Sequence, residues 1–385
     1  MRLPRVKSEH RPHRYDDGTI RIGGEIYGIA AEIADPYGWV WTALTLMDGT
    51  RSRDEIAERL RLAHPEVPDA VSIVEQLVAT RYLEDAAAVP PDGLTERELD
   101  RYSRNHAFFR AVDAAPGAHG WETQVRLKSA RVVVLGLGGT GSHAAWALAA
   151  VGVGTIHCVD PDVVELSNLN RQVLYGEQDV GRPKAEAAVA RLRTVNSDIR
   201  VTSELRRIGS RRQLDDLIAG YDALALCADR PTGHGIRVWA NRACAAANIP
   251  WAGGGYSGPL VTVGCFAPGV GACYECLSSG EEARRRPGTP VDLGGPGVIA
   301  TSAGVSGQLV AHALIGLLTG VPVPPAGTIQ GVNLIAPDHH VWVRHPPRPG
   351  CPVCGTPGPY GGSEHDFIPA DEPNRHGMNE GRILD

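Results

Sequence analysis

The spacing of apolar positions changes character along the chain. Residues 18–33, GTIRIGGEIYGIAAEI, are short β-compatible runs broken by glycines. The spacing then turns helical and predicts three helices, at 36–46, 52–63 and 67–80. In the third, Val71, Val74, Leu77 and Val78 recur at helical intervals, a pattern for packing against the first two. PPDG at 90–93 breaks the chain. Beyond it, RVVVLG is a β-branched run of the kind that buried parallel strands carry. Strands are predicted at 131–135, 155–159, 199–203, 222–226 and 261–266, separated by helices at 140–151, 182–194, 211–219 and 233–247. Such alternation implies an α/β unit with a mostly parallel, doubly wound sheet covered on both faces. The expected divisions are 1–90, 91–355, and a loose tail at 356–385 that is rich in Gly, Pro and charge.

One apolar stretch, Ile299 to Val321, has no Asp, Glu, Lys or Arg. It also holds Ser302, Ser306, Gln308, His312 and four glycines within an α/β pattern, so a buried helix is expected and not a membrane span. The 38 basic and 44 acidic residues leave a net charge of −6 with no dense basic block, which argues against a nucleic-acid partner. MRLPRVKSEH lacks a secretory apolar core, so a cytoplasmic setting with reduced thiols and no membrane partner is expected.

Directly after the first strand of the larger unit comes Gly136-Leu137-Gly138-Gly139-Thr140-Gly141, followed by an Ala-rich helix. Glycines at that spacing permit a tight turn and a close backbone approach, so the helix N-terminus can offer free N–H groups to phosphate oxygens. Asp160 closes the second strand about 20 residues on, where an acid ordinarily holds ribose hydroxyls. This is a Rossmann-like nucleotide site, and taken alone it suits a nicotinamide enzyme as well as any other.

The next segment separates the options. Asp160-Pro-Asp-Val-Val-Glu-Leu-Ser-Asn-Leu-Asn-Arg-Gln172 and then Gly181-Arg-Pro-Lys184 are not what hydride-transfer enzymes carry at this place. Over Arg101 to Gly355 the chain resembles the ubiquitin-activating (E1-like) superfamily, in particular bacterial adenylyltransferases that activate sulfur-carrier proteins for molybdopterin and thiamine synthesis. The resemblance implies ATP, Mg2+ and a structural Zn2+. It assigns the ribose to Asp160, the phosphates to Asn168 and Arg171, and the α-phosphate region to Lys184, with Asp162, Ser167 and Gln172 also on the nucleotide. Fixed cations and amides there would stabilise the charge that spreads over oxygens during displacement at phosphorus. It also makes Asp229 the acid associated with magnesium, although Arg230 replaces the family's Asn; the alternative is that Asp229 caps the helix that follows. Arg101-Tyr-Ser-Arg-Asn105 is similar to the family's Arg-Tyr-Ser-Arg-Gln opening, which implies that Arg104 reaches the ATP of a partner subunit in a homodimer.

Cys273-Tyr-Glu-Cys276 and Cys351-Pro-Val-Cys354 supply the four thiolates of a closed structural zinc site. Cys158, Cys227, Cys244 and Cys265 fall in predicted strands or helices and are expected in the core. Residues 277–350 hold no cysteine, where family members that form a thioester or persulfide place theirs. A covalent acyl-enzyme is therefore not expected.

The pattern over 16–85, with the run DGTRSRDEIAERL, resembles the small winged-helix-like α+β domains that bind leader peptides in ribosomal peptide-modifying pathways, as in E1-like enzymes that adenylate microcin C-type precursors. The implied activity is ATP-dependent adenylation of a peptide's C-terminal carboxylate. Two alternatives stay open: activation of a ubiquitin-like sulfur carrier, and a non-catalytic adaptor that presents a leader peptide.

Overall fold

The structure, a computed structural model, describes residues 1–24, 28–89, 91–113, 120–231, 235–288 and 297–355. The expected tail at 356–385 lies outside the described residues.

The chain opens with β1 (Pro4–Val6), β2 (His13–Arg14), β3 (Ile20–Ile22) and β4 (Ala31–Ile33). Helices α1 (Trp39–Leu46), α2 (Arg53–Ala63) and α3 (Ala70–Val78) follow, then β5 (Leu83–Asp85). The three helices fall where their periodicity predicts. Helix α2 starts at a reciprocal cap, in which Ser52 accepts from the Glu55 N–H and Glu55 accepts from the Ser52 N–H. Strands β2, β3 and β4 form an antiparallel sheet of three, while β1 pairs with β5 and ties the start of the unit to its end. Ile20, Ile22, Leu44, Ile56, Leu60, Val74 and Leu83 make a core of their own.

This unit joins the rest through buried charge. Helices α4 (Glu96–Arg101) and α5 (Ser103–Val112) come next, and Arg110 of α5 lies 3.0 Å from Glu9 and 3.2 Å from Glu84. Fully buried Lys7 donates to the Arg110 carbonyl at 3.1 Å.

The remaining elements are α6 (Trp121–Ser129), β6 (Arg131–Leu135), α7 (Gly139–Val151), β7 (Thr155–Val159), α8 (Lys184–Val195), β8 (Arg200–Glu204), α9 (Arg211–Ile218), β9 (Ala223–Leu226) and α10 (Gly235–Ala247). They are followed by β10 (Trp251–Ser257), β11 (Leu260–Phe266), α11 (Tyr274–Arg284), α12 (Ala300–Thr319), β12 (Thr328–Asn333) and β13 (His340–Arg344). Eight strands form one sheet in the order β13-β12-β11-β10-β9-β6-β7-β8. From β10 to β8 the pairs are parallel, and from β10 to β13 they are antiparallel. Three of these strands escape the apolar pattern: β10 is the glycine-rich WAGGGYS, and β12 and β13 carry half-exposed alternation at the sheet's edge.

Each face of the sheet has its own core. One gathers Val132, Val134, Leu148, Ile156, Leu192, Val310 and Leu314 under α7, α8 and α12. The other gathers Val133, Leu135, Leu214, Leu224, Cys244, Trp251 and Leu277 under α9, α10 and α11. Helix α12 is long and apolar enough to cross a membrane by composition, yet half of it is buried and it packs on α7, β10 and β11. It is the interior helix that its polar residues predict.

Candidate active site

The crevice forms at the carboxyl end of the parallel strands, between β6 and β9, where the chain order reverses. Gly136 takes φ +90°, and a Cβ there would lie 2.7 Å from the Ala228 nitrogen, so only glycine makes this turn. In front of Gly138 a Cβ would meet nothing nearer than Gln172 Nε2 at 3.9 Å, which leaves room at the N-terminus of α7. The loop is pinned from behind. The Leu137 N–H donates to Asp160 Oδ2 at 2.6 Å, and the Tyr175 hydroxyl donates to the Leu137 carbonyl at 3.0 Å.

Asp160, buried just past β7, accepts a second N–H from Asp162 at 2.8 Å. Burial pushes its carboxyl above the usual carboxylate range, while the two N–H donors and Lys184 pull it back. Each carboxylate oxygen keeps acceptor capacity for a hydroxyl besides these bonds.

Asn168 is buried at the end of a single 3-10 turn, Leu166–Asn168, and its Oδ1 accepts from the Glu165 N–H at 3.1 Å. Ser167 is exposed on that turn, and its carbonyl accepts from Arg171 Nη1 at 2.9 Å. Lys184 opens α8 and is buried, with its ammonium 3.6 Å from a carboxylate oxygen of Asp162. Asp162 itself is half exposed and also pairs with Arg207 at 3.3 Å. Two polar atoms here are buried without a partner, Arg171 Nε and Gln172 Oε1. Leaving such groups unpaired costs roughly 1–3 kcal/mol each. Such groups are ones that a polar ligand can satisfy.

Asp229 stands three residues past the end of β9, exposed and without a hydrogen bond or ion pair among the described residues. A free carboxylate beside the phosphate loop suits a hard cation. The alternative, a cap on α10, involves residues 232–234, which lie outside the described residues.

Arg104 points to solvent from α5 and has no partner among the described residues. Its neighbours anchor the helix at the far end of α7. Tyr102 packs where a Cβ on Gly152 would sit, 2.5 Å from its ring, and Asn105 donates to the Val151 carbonyl at 3.1 Å. At 1.5 Å per residue, α7 holds that end about 20 Å from the phosphate loop.

The four knuckle cysteines converge as expected, with their sulfurs within 4.8 Å of one another. Cys273 and Cys351 are 3.7 Å apart, and Cys276 and Cys354 are 3.5 Å apart. A disulfide needs about 2.0 Å. A tetrahedron with Zn–S bonds of about 2.3 Å needs sulfurs about 3.8 Å apart, and these two pairs are close to that. Four protein ligands leave no open position on the ion. Of the other cysteines, Cys158, Cys244 and Cys265 are buried, and Cys227 is half-buried just past β9.

Two tyrosines of this region were not foreseeable as site residues. Tyr175 locks the loop from behind, and Tyr256 of β10 lies against Gly139. No motif marks either, and the triple glycine before Tyr256 reads as a breaker.

A nucleotide-type crevice at the strand ends, together with a separate tetrathiolate cluster, is the combination expected of an E1-like adenylating α/β protein. Residues 102–353 match the model of the ThiF family, and the chain belongs to that family. It is 36% identical to the SAMP-activating enzyme E1 of Haloferax volcanii over 279 residues, covering 71% of this chain and 96% of that one. It is 35% identical to the sulfur carrier protein ThiS adenylyltransferase of Escherichia coli, over 68% of this chain and 97% of the other. Among solved structures, E. coli MccB with ATP matches 91% of this chain and 99% of its own at 25% identity and a TM-score of 0.70. E. coli MccB alone reaches a TM-score of 0.75 at 24% identity, a likeness of fold. The chain is an E1-like adenylyltransferase.

Proposed function

We propose that this adenylyltransferase activates the C-terminal carboxylate of a ribosomally made peptide in natural-product maturation. The carrying observation is the N-terminal unit. The sulfur-carrier enzymes align over about two thirds of this chain while spending nearly all of their own length, so a large part of the chain has no counterpart in them. MccB matches 91% of it, and one MccB structure holds AMPCPP with MccA. The three-stranded sheet β2-β3-β4 and helices α1 to α3 form a unit that could hold an extended leader by strand addition.

In this reading the peptide carboxylate attacks the α-phosphorus of ATP, a C–O–P bond forms, and the bond to the bridging oxygen breaks to release pyrophosphate. A carboxylate is ionised at neutral pH, so no strong base is required. Asp160 holds the ribose. The open N–H groups at Gly138, Gly139 and Gly141 face the phosphates, with Asn168, Gln172 and Ser167 around them. Lys184 and Arg171 stabilise the charge. Mg2+ held by Asp229 would neutralise phosphate charge when bound. Arg104 sits too far along α7 to serve its own loop, so it completes the site of a second copy in a homodimer. A cytoplasmic location keeps the cysteine sulfurs reduced for zinc.

The names of the curated relatives favour a second reading, in which the substrate is a ubiquitin-like sulfur carrier. Mass spectrometry separates the two. Enzyme with Mg-ATP and the products of adjacent short reading frames should yield a peptide–AMP adduct, and removing the peptide's N-terminal half should lower kcat/KM at least tenfold. An AMP adduct on a folded carrier ending in Gly-Gly, with none on any peptide, would refute the peptide reading. In either case Lys184→Ala should slow ATP–pyrophosphate exchange about 100-fold with the melting temperature unchanged.

A further inference from the structure

Strand β10 outruns its parallel neighbour. Gly253 is level with Leu226, the last residue of β9, and Leu226 is level with Leu135, the last of β6. The next four residues, Gly254 to Ser257, therefore rise above the sheet's edge at about 3.3 Å per residue and form a wall of the crevice beside the phosphate loop. On a strand, alternate residues share a face. Gly254 faces α12 so closely that a Cβ would lie 2.6 Å from Val310 and 3.0 Å from the Ser306 hydroxyl. Tyr256 shares that face, two residues higher, where it reaches over the first turns of α12 to α7.

The ring ends at the phosphate loop. A Cβ on Gly139 would lie 2.6 Å from the Tyr256 hydroxyl and 3.0 Å from Ala303. Gly139 has no positive φ, so its glycine answers to space and not to backbone conformation. The neighbouring turns are locked together, because Thr140 and Ser306 share a buried hydroxyl–hydroxyl bond of 2.9 Å. Tyr256 is half-buried and its hydroxyl has no hydrogen-bond partner among the described residues. A phenol hydroxyl beside the first free N–H groups of a helix, with its donor unspent, is placed to bond a ligand oxygen there.

Its side of the crevice selects which oxygen. Asp160 stands at the end of β7, on one side of β6, whereas Tyr256 stands on β10, on the other side and beyond β9. The nucleotide's ribose therefore lies away from Tyr256, with the phosphate loop between them. We propose that the Tyr256 hydroxyl positions the substrate's carboxylate, and afterwards the acyl carbonyl of the adenylate, against the α-phosphate. This rests on the adenylation reading and adds to it the residue that grips the acyl end.

Two stable compounds test it without knowledge of the peptide. Sulfamoyladenosine mimics AMP, and its N-acetylglycyl derivative mimics an acyl-adenylate. Calorimetry on the full-length protein should show Tyr256→Phe binding the acyl compound about tenfold more weakly and sulfamoyladenosine within about twofold of wild type. Unchanged sulfamoyladenosine binding also demonstrates an intact crevice. Once a peptide is in hand, the same variant should lose kcat/KM for the peptide and keep its KM for ATP. Equal weakening of both compounds, or no weakening of either, overturns the assignment. A wild-type protein that binds neither compound refutes the adenylation reading itself, and Tyr256 with it.

Discussion

The nucleotide crevice and the cysteine clamp are both polar clusters assembled from distant parts of the chain, and they are finished to different degrees. In the clamp, four sulfurs gather within 4.8 Å of one another, a set that one zinc ion can satisfy. Their surroundings are satisfied too: Asn241 accepts from the Tyr274 N–H at 3.0 Å, and Arg242 bonds Glu275 through two nitrogens at 2.9 and 2.8 Å. In the crevice, Arg171 Nε and Gln172 Oε1 are buried and unpaired, and Asp229 stands free. A closed cluster can hold a fold together but has no valence left for chemistry. An open one loses stability that a ligand restores, and the loss is tolerated where binding or catalysis needs it.

The comparison breaks most easily at the clamp. Cys276→Ser, or removal of zinc with a strong chelator, should destabilise the protein by more than about 3 kcal/mol and lower the melting temperature by roughly 10 °C or more. Thermal melts paired with metal analysis check this, and a variant that melts normally without metal would leave the clamp no structural role. In the crevice, Asp160→Ala leaves the N–H groups of Leu137 and Asp162 without acceptors and should cost about 2 kcal/mol, together with at least tenfold in ATP affinity. The two losses should appear together, in denaturant titration and in calorimetry. The smallest effect belongs to the clamp's rim. Arg242→Ala removes a half-exposed ion pair to Glu275 and should cost under about 1 kcal/mol with zinc retained. A larger loss there would mean that the pair holds the knuckle itself.

Much of the crevice was legible beforehand because its chemistry is local. The glycines of 136–141, Asp160 after a strand, and Asn168, Arg171 and Lys184 within one short stretch are motif residues, and the structure brings them to one strand end. The cysteine pairs were legible for the same reason, since two C-x-x-C units carry their partners with them. Tyr175 and Tyr256 were not legible. Each acts on a loop that is distant in sequence, and a tyrosine in a loop or after three glycines has no spacing that announces it. The glycines that hide β10 from the apolar pattern are required by α12, which leaves no room for a side chain at Gly254.

By itself, then, the sequence determined the α/β alternation, the nucleotide loop, the thiolate set and the three N-terminal helices, because each is written in periodicity or in neighbouring residues. Only the tertiary structure decided the antiparallel half of the sheet, whose strands are selected by pairing and not by their own apolarity. It alone placed Arg104 at the opposite end of α7 from the phosphate loop and Tyr256 above it. Both placements depend on how whole elements pack, and packing between elements leaves no imprint on the spacing of residues within them.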